Sequence, residues 1–597
     1  MGLRSSVVRI LSAAGPTLER FWVPVALTVA LTITSMLILD VGLYGYGDPG
    51  TDLRLNRIRL ASALVPAILA SWCTLLFWER KERHTSGWAD SQVGANLAAL
   101  LTAFLVAWAT HALLPDFTLV PVSRHIAICL FLALMFFVIP HFRKQGSLEM
   151  YIVKLFSHTV VSVLFSAVMF LGLSAILLTI SSLFSLTIGP RAYQRLWLTI
   201  AGVMGPFLFM AGIPEGTVDG DPQDYSKVLK NLILFVVTPL LAAYTAILYV
   251  YFAKILITRQ WPVGLVAHLV LWYALVNTAL LYFLWPLSQD NRWAHGYSSV
   301  LPKAVTPLLL MMFASVGIRI KHYGITENRY YVLVLGLWVL ASMVYLMVAK
   351  DRKRLILPAS LAMVVLLSVF GPWSSFKVSM WSQNNRLESL LNKYGMLSGE
   401  RIEPTTQPVN ESDKREIAEV LFYFDRNHDL SDVRFIPQGF TMADFPEVFG
   451  FAYGEAPFEP AYYLRYAADN RALNVDEYQC LFDYTEPRYD EDPVTSLVQG
   501  NISAKYNRDR QTATVVLDDK VEWEASLSEY VSGLEPVYDE YQKSATFAAE
   551  DMVLKADTPH LRIKLIITEM WGQTRPNEGE GTTIEQVQFY LLVGLKT

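Results

Sequence analysis

Charged residues are scarce in this chain. They make up 17% of its 597 residues, against about a quarter of the residues in a typical soluble domain. Hydrophobic residues make up 53%, which is more apolar material than a protein surrounded by water can bury. These proportions exclude a wholly soluble protein.

Cysteine is scarcer still, with three residues in the whole chain. Cys73 and Cys129 lie within apolar runs, and Cys480 stands alone near the C-terminus. They cannot build a disulfide framework or a cysteine-based zinc site. The G-x-S-x-G, H-E-x-x-H, Walker A and C-x-x-C motifs are also absent. We therefore assign no catalytic residue and expect no cofactor.

The chain instead contains long apolar runs. A helix needs about 20 mostly apolar residues to cross a bilayer. Since the fifth run suits one tilted helix or two short spans, we predict about eleven spans, with a range of ten to twelve. The runs lie near residues 22–40, 58–78, 93–113, 124–140, 155–185, 194–213, 230–253, 262–286, 303–319, 331–349 and 355–372.

The composition changes after Trp373. Basic residues outnumber acidic residues before this point, and acidic residues outnumber basic residues after it. Strand-like segments follow, among them AYYLRYAA, TATVVLDD and VQFYLLVGL. We predict an α-helical polytopic membrane bundle over 1–372, an amphipathic helix and linker over 373–411, and a soluble, acidic α+β domain over 412–597. An acidic domain repels phosphate backbones, so nucleic acid is not an expected partner.

The basic residues also predict an orientation. Cytoplasmic loops of membrane proteins are enriched in lysine and arginine. If the N-terminus is cytoplasmic, the cytoplasmic loops carry most of these residues, and eleven spans put the C-terminal domain outside the cytoplasm. Arg319, Lys321 and Arg329 are a local exception on the opposite side. We expect a bacterial inner membrane as the location and the lipid bilayer as the first partner.

Polar residues inside spans are candidates for function, because they are costly in lipid. His158, Ser162 and Ser166 lie on one face of the fifth run, and His268 and Asn277 lie in the eighth. They suggest a polar cavity between helices. The alternative is that they join neighbouring helices by hydrogen bonds.

An acidic segment near residue 427 partly matches a calcium-binding loop. Asp425, Asn427 and Asp429 occupy the first, third and fifth positions of an EF-hand loop. Leu430 and Ile436, however, replace the required glycine and glutamate. The segment is therefore a weak calcium candidate, and a solvated helix end is the alternative.

Three segments resemble a bacterial multi-pass membrane family known only as domain of unknown function 4153. They are LLFWERKER at the end of the second run, IRIKHYGITENRYYVLVLGLW, and SQNNRLESLLNKYGML with Gln383 and Arg386. The resemblance implies a bundle of about ten or more spans followed by a soluble module, and it implies no reaction. In YGITENR, Thr326 and Glu327 suit a helix start. The alternative is an interfacial charged site formed by Arg319, Lys321, Glu327 and Arg329.

These features favour a non-enzymatic envelope protein with a sensing, interaction or scaffolding role, whose partner is another envelope protein. Two alternatives stay open. One is a secondary transporter of a small solute that uses the proline-containing spans. The other is a membrane enzyme that acts on lipid-linked or cell-wall precursors near Arg319 to Arg329.

Overall fold

The computed structural model consists of two compact units, Met1–Ala452 and Tyr453–Thr597. It describes residues 3–40, 49–79, 92–142, 147–184, 186, 188–214, 225–259, 265–349, 354–399, 401–404, 407–451, 462–467, 475, 477–485, 494–507, 510–534, 537–539, 544–547, 551–574 and 583–596. The predicted limits at 372 and 412 concern where the chain leaves the membrane, and they stay a prediction.

The first unit is helical. Its helices are α1 (Leu3–Asp40), α2 (Pro49–Glu79), α3 (Gln92–Leu113), α4 (Leu119–Val138), α5 (Leu148–Phe184), α6 (Pro190–Thr199), α7 (Gly205–Ala211), α8 (Lys227–Leu232), α9 (Thr238–Thr258), α10 (Leu265–Leu284), α11 (Arg292–Tyr323), α12 (Glu327–Val348), α13 (Ile356–Val369), α14 (Ser375–Lys393), α15 (Glu411–Asn427) and α16 (Phe445–Phe449). The short strands β1 (Leu397–Ser398) and β2 (Arg401–Ile402) pair between α14 and α15.

Within the described residues, nine helices are long and apolar enough to cross a membrane. The predicted count of eleven spans is therefore not confirmed. The run at 194–213 folds as α6, a π-helical segment at Ile200–Met204, and α7, which follow one another without a break but are not among these nine. The run at 355–372 forms α13, which has only 14 residues.

Two helices of the bundle contain π-helical segments, and each segment is followed by a proline. Ile200–Met204 precedes Pro206, and Ile233–Val237 precedes Pro239. Proline cannot donate a backbone hydrogen bond, so the helix around it must change its hydrogen-bond pattern. A Cβ on Gly202 would lie 2.2 Å from Oγ1 of Thr32, so glycine allows the first π segment to pack closely against α1.

Polar contacts define two ends of the bundle. At one, the Arg20 end, the guanidinium of Arg20 donates to both carboxylate oxygens of Glu79, at 2.7 and 2.8 Å, and to the carbonyl of Ile213 at 2.8 Å. At the other, the Asp40 end, Asp40 forms an ion pair with Arg195. The part of α1 from Arg20 to Asp40 and the α6–α7 run therefore lie antiparallel, with polar contacts at each end of this part.

Helix α13 also runs between the two ends. Arg354, just before it, forms a 2.8 Å ion pair with Glu149 at the start of α5. Beyond its other end, the ring of Phe370 packs against the guanidinium of Arg124 near the start of α4. Since α4 begins at the Asp40 end, α13 finishes there, next to α14.

The second unit is built mainly from strands, as predicted for the C-terminal region. It contains β3 (Tyr462–Ala467), β4 (Cys480–Thr485), β5 (Val494–Gln499), β6 (Ile502–Asn507), β7 (Thr512–Leu517), β8 (Lys520–Ser526), helix α17 (Leu527–Ser532), β9 (Val537–Asp539), β10 (Ser544–Thr546), β11 (Val553–Asp557), β12 (Leu561–Thr574) and β13 (Thr583–Leu595).

These strands form two sheets around one core. In the larger sheet, of seven strands, the order is β4-β13-β12-β3-β10-β9, and β11 also pairs with β12. The other is an antiparallel meander from β5 to β8. Alternate residues of the long strands, such as Ile563, Leu565 and Ile567, are buried in the core together with Val515 of the smaller sheet. Period-two alternation leaves Arg562 and Lys564 on the opposite face of β12.

Candidate functional site

The turn between α11 and α12 contains the YGITENR segment. Gly324 has a φ of 67° and a ψ of −177°, a conformation that is essentially restricted to glycine. Thr326 is the N-cap residue of α12, as predicted, although its side chain makes no capping bond, and Glu327 begins the helix. The guanidinium of Arg329 donates to the carbonyls of Tyr323 at 3.1 Å and Gly324 at 2.8 Å, which closes the turn.

Helix α14 holds this turn by three further hydrogen bonds. The amide nitrogen of Gln383 donates to the carbonyls of Tyr323 at 3.1 Å and Ile325 at 3.0 Å. The backbone N–H of Ile325 donates to the hydroxyl of Ser382 at 2.8 Å. Gln383 is buried, so these bonds are shielded from water. Two of the segments on which the family resemblance rests are thus bonded to each other.

The carboxylate of Glu327 binds two side chains of the α15 region. The hydroxyl of Tyr423 donates to Oε1 at 2.6 Å, and Nε2 of His428 lies 2.8 Å from the same oxygen. The tyrosine oxygen and the histidine nitrogen are 3.0 Å apart. We call these three residues the Glu327 cluster. They connect the start of α12 with the end of α15.

The cluster is shielded from solvent. The side chain of His428 is 2% exposed and that of Glu327 is 11% exposed. Burial, together with the nearby charge of Glu327, raises the pKa of Tyr423 well above its ordinary value, so the hydroxyl stays protonated as a donor. The cluster is therefore suited to hold helices together rather than to contact a substrate.

Helix α14 also holds the segment that follows α15. The side chain of Asn384 donates to the carbonyl of Asp432 at 3.1 Å and accepts from the N–H of Arg434 at 2.8 Å. Near the start of α14, the hydroxyls of Ser375 and Tyr331 are 3.0 Å apart. The buried polar residues of α14 thus contact α12 on one side and the α15 region on the other.

The four residues of the predicted charged site separate into different environments. Glu327 is directed toward Tyr423 and His428, whereas Arg329 is bound within the turn. Arg319 is half-buried and lies within electrostatic range of Arg329, and Lys321 is exposed.

Another arginine, Arg386, lies near the α11–α12 turn. Arg386 is near enough to Arg329 to repel it, and its guanidinium lies 5.8 Å from the ring centre of Tyr323. It forms ion pairs with Glu416 at 3.1 Å and Glu419 at 3.6 Å. The arginines of the turn are therefore balanced partly by carboxylates of α15.

The residues of the predicted polar cavity divide between two helices. On α5, Ser162 and Ser166 are buried, and a Cβ on Gly212 of the α7 side would lie 2.6 Å from the ring of His158. On α10, Asn277 is fully buried and accepts a 2.8 Å hydrogen bond from Tyr297. His268 is half-buried on the same helix. A cavity shared by all five residues stays a prediction.

The three residues of the calcium candidate make local contacts. Asp429 accepts from the N–H of Ser431 at 2.8 Å and caps a short 3₁₀ turn. Asn427 donates to the carbonyl of Tyr423 at 3.1 Å, and Asp425 is exposed. In the part of the chain that the structure describes, no group of three His, Cys, Asp or Glu residues is arranged to hold a metal ion.

Comparison with known proteins gives a family but no activity. A family model described as "Domain of unknown function (DUF4153)" matches residues 64–400. The chain is also 25% identical over 175 residues to "Uncharacterized protein PM1469" of Pasteurella multocida (strain Pm70), which is 29% of this chain and 30% of that protein. The chain thus covers less than a third of this relative. No solved structure matches this chain significantly.

The family match includes both the α11–α12 turn and the part of α14 that binds it. The match confirms the resemblance found in those segments of the sequence. Because the matched region is more than half of the chain, this protein belongs to the DUF4153 family.

Proposed function

We propose that this protein is an inner-membrane protein of the bacterial envelope, whose bundle is coupled to the segment after it for a sensing or interaction role. The observation that carries the proposal is the position of Glu327. Its carboxylate stands at the first residue of a spanning helix and binds Tyr423 and His428, which lie beyond the last apolar helix.

The bonding of Glu327 supports an energetic coupling between α12 and α15. Hydrogen bonds to a charged group contribute about 1.5–3 kcal/mol each, and a buried carboxylate that loses its donors is costly. A displacement of α15 must therefore either move the start of α12 or break the Glu327 cluster. A ligand or partner that binds differently to these two states would shift the equilibrium between them.

The contacts at the two ends of the bundle support eleven spans. The α6–α7 run is joined to α1 at the Arg20 end and at the Asp40 end. Helix α13 reaches from the Arg354–Glu149 pair to the residues around Arg124. If both cross the membrane beside the nine long helices, the chain enters α1 on one side and continues into α14 on the other.

Charge supports an orientation. The sequence segments that connect helices whose described ends lie at the Arg20 end contain a group of basic residues, so we assign this end to the cytoplasm. Of these residues only Arg354 lies in the part of the chain that the structure describes. Helices α14 and α15 then lie outside the cytoplasm. The residues are Arg80, Lys81, Arg83, Arg143, Lys144, Lys350, Arg352, Lys353 and Arg354.

Cysteine labelling on intact cells tests this orientation. With Cys73, Cys129 and Cys480 replaced by serine, a cysteine at exposed Ser389 of α14 should react with a membrane-impermeant maleimide. A cysteine at exposed Gln289, in the α10–α11 turn at the other end, should react only after the cells are opened. The reverse pattern, or equal labelling of both, would reject the orientation.

Hydrogen exchange tests the coupling. The Tyr423→Phe variant removes one donor to Glu327, so the amides at the start of α12 should exchange faster although the substitution lies in α15. Glu388→Gln is the matched control, because Glu388 forms an exposed, 3.7 Å pair with Arg434. If exchange in α12 is the same in the Tyr423→Phe variant as in the control, the coupling hypothesis is wrong.

A second candidate function is secondary transport of a small solute. It is favoured by the side chains of α5 that contact the proline-containing run α6–α7, since broken helices form the binding sites of many transporters. Ser166 is buried, and its hydroxyl has no hydrogen-bond partner within the described residues. A cysteine at 166 that reacts with aqueous thiol reagents would support transport, and a cysteine that stays unreactive would count against it.

A further inference from the structure

The second unit carries a polar cleft beside strands β11 and β12. Its volume is about 510 Å³, and it is open to solvent on one side. The charged residues that line it are Glu477, Lys555, Asp557, Arg562 and Lys564. The cleft thus brings three basic and two acidic side chains together in an acidic domain.

The strand register sets two lysines against each other. Lys555 of β11 lies directly opposite Lys564 of β12 in an antiparallel pair. Side chains at such positions point to the same face, with Cβ atoms about 5 Å apart. Like charges at this spacing are destabilising unless a negative charge lies between or beside them.

The nearby carboxylates form ion pairs with other cations instead of with these two lysines. Glu477 binds Arg562 at 2.5 Å, and Asp557 binds Arg562 at 3.4 Å and Lys596 at 2.9 Å. Both acids are thus paired with other cations. Within the described part of the chain, neither Lys555 nor Lys564 has a carboxylate partner.

We propose that this cleft binds a small oxyanion, a phosphate or carboxylate group, between Lys555 and Lys564. One tetrahedral or planar oxyanion has the size to accept hydrogen bonds from both ammonium groups, and it removes their mutual repulsion. Arg562 is held in place by its two acids at the edge of the cleft. An extended polyanion is not the ligand, because it would meet the acidic surface of the domain.

Binding is measured on the purified full-length protein in detergent, with sodium phosphate and sodium acetate titrated at constant ionic strength. Dihexanoylphosphatidic acid is a third probe, so that a phosphate carried on a lipid is distinguished from a free one. The double variant Lys555→Gln and Lys564→Gln should weaken binding of the preferred probe at least about tenfold, since each charge-assisted bond is worth about a factor of ten.

Lys505→Gln is the matched control, because Lys505 is an exposed lysine on β6 of the other sheet. It should bind the probes as the unchanged protein does. Lys555→Glu is the second variant, which should abolish binding and raise the melting temperature through a cross-strand Glu–Lys pair. Equal affinities in the double variant and in the control, or no saturable binding of any probe to the unchanged protein, would overturn the proposal.

Discussion

The carboxylate of Glu327 lies 2.8 Å from Nε2 of His428, although 101 residues separate them in the sequence. One residue begins a spanning helix, and the other follows the amphipathic helix α15. Through this contact, the residues at the α11–α12 turn connect the helical bundle to the segment that follows it. Most of the expected effects of mutation follow from this join.

Substitution of Glu327 should destabilise the first unit. In Glu327→Ala, Tyr423 and His428 lose their shared acceptor in a buried site, so the free energy of unfolding should fall by about 2–4 kcal/mol. Glu327→Gln keeps one acceptor oxygen and should lose about half as much. Thermal unfolding in detergent measures both changes.

Glu388→Gln should change stability by less than about 0.5 kcal/mol, since exposed ion pairs contribute little. If Glu327→Ala is no more destabilised than this control, the carboxylate does not hold the join.

The stability that the Glu327 cluster provides should depend on pH in the alkaline range. Because the pKa of Tyr423 is raised in the folded state, the unfolded chain loses this proton first, near the ordinary tyrosine pKa of about 10. The contribution of Tyr423 is therefore complete below about pH 10 and falls as the pH rises above it. Denaturation measured between pH 8 and 11 should show a steeper loss in the unchanged protein than in Tyr423→Phe. Parallel curves would contradict this role of the tyrosine.

Gly324 should tolerate no side chain. An added Cβ would lie 2.9 Å from Nε2 of Gln383 and 3.1 Å from Oγ of Ser382, and the backbone conformation itself disfavours other residues. Gly324→Ala should cost about 2–4 kcal/mol, from backbone strain and from displaced hydrogen bonds.

Gly399→Ala separates these two causes. Gly399 also has a positive φ, of 66°, but a Cβ there would meet nothing within 4 Å. It should therefore show backbone strain alone, of about 1–2 kcal/mol. Equal losses at the two glycines, measured by thermal unfolding, would mean that Gln383 and Ser382 do not stabilise the turn.

The ion pairs that Arg20 and Asp40 of α1 form should differ in strength. Arg20 and Glu79 form a two-pronged pair with side chains only 15% and 30% exposed, whereas Arg195 and Asp40 are 51% and 43% exposed. Double-mutant cycles with alanine should give a coupling of about 1–2 kcal/mol for the first pair and below about 0.5 kcal/mol for the second. The opposite order would show that burial does not decide their contribution.

Local patterns in the sequence predicted much of the architecture. Most of the apolar runs became helices of spanning length, and strand-like segments such as TATVVLDD and VQFYLLVGL became β7 and part of β13. The run at 194–213 became a helix with a π-helical segment, and the run at 355–372 became a short helix. Counting apolar residues does not reveal such features, because they depend on proline, glycine and local packing.

The Glu327 cluster could not be predicted from the sequence. The sequence pattern in the acidic segment near residue 427 indicates oxygen ligands from Asp425, Asn427 and Asp429. The side chain that is buried and contacts Glu327, however, is that of their neighbour His428. Helix α14 lies in the segment that was predicted to contain an amphipathic helix. Gln383 and Asn384 are buried and bind backbone groups of other segments. A single sequence carries no signal for such long-range pairs.

The antiparallel arrangement of α1 and the α6–α7 run has a consequence for the bilayer around it. The pairs at Arg20 and Asp40 are about 20 residues apart on α1, or about 30 Å at 1.5 Å per residue. This equals the hydrocarbon thickness of an ordinary bilayer. If the α6–α7 run crosses the membrane as proposed, its contacts with Arg20 and Asp40 keep it and α1 from sliding past each other to follow a thinner membrane. In such a membrane the two helices must tilt as one body, or the lipid must deform to meet them.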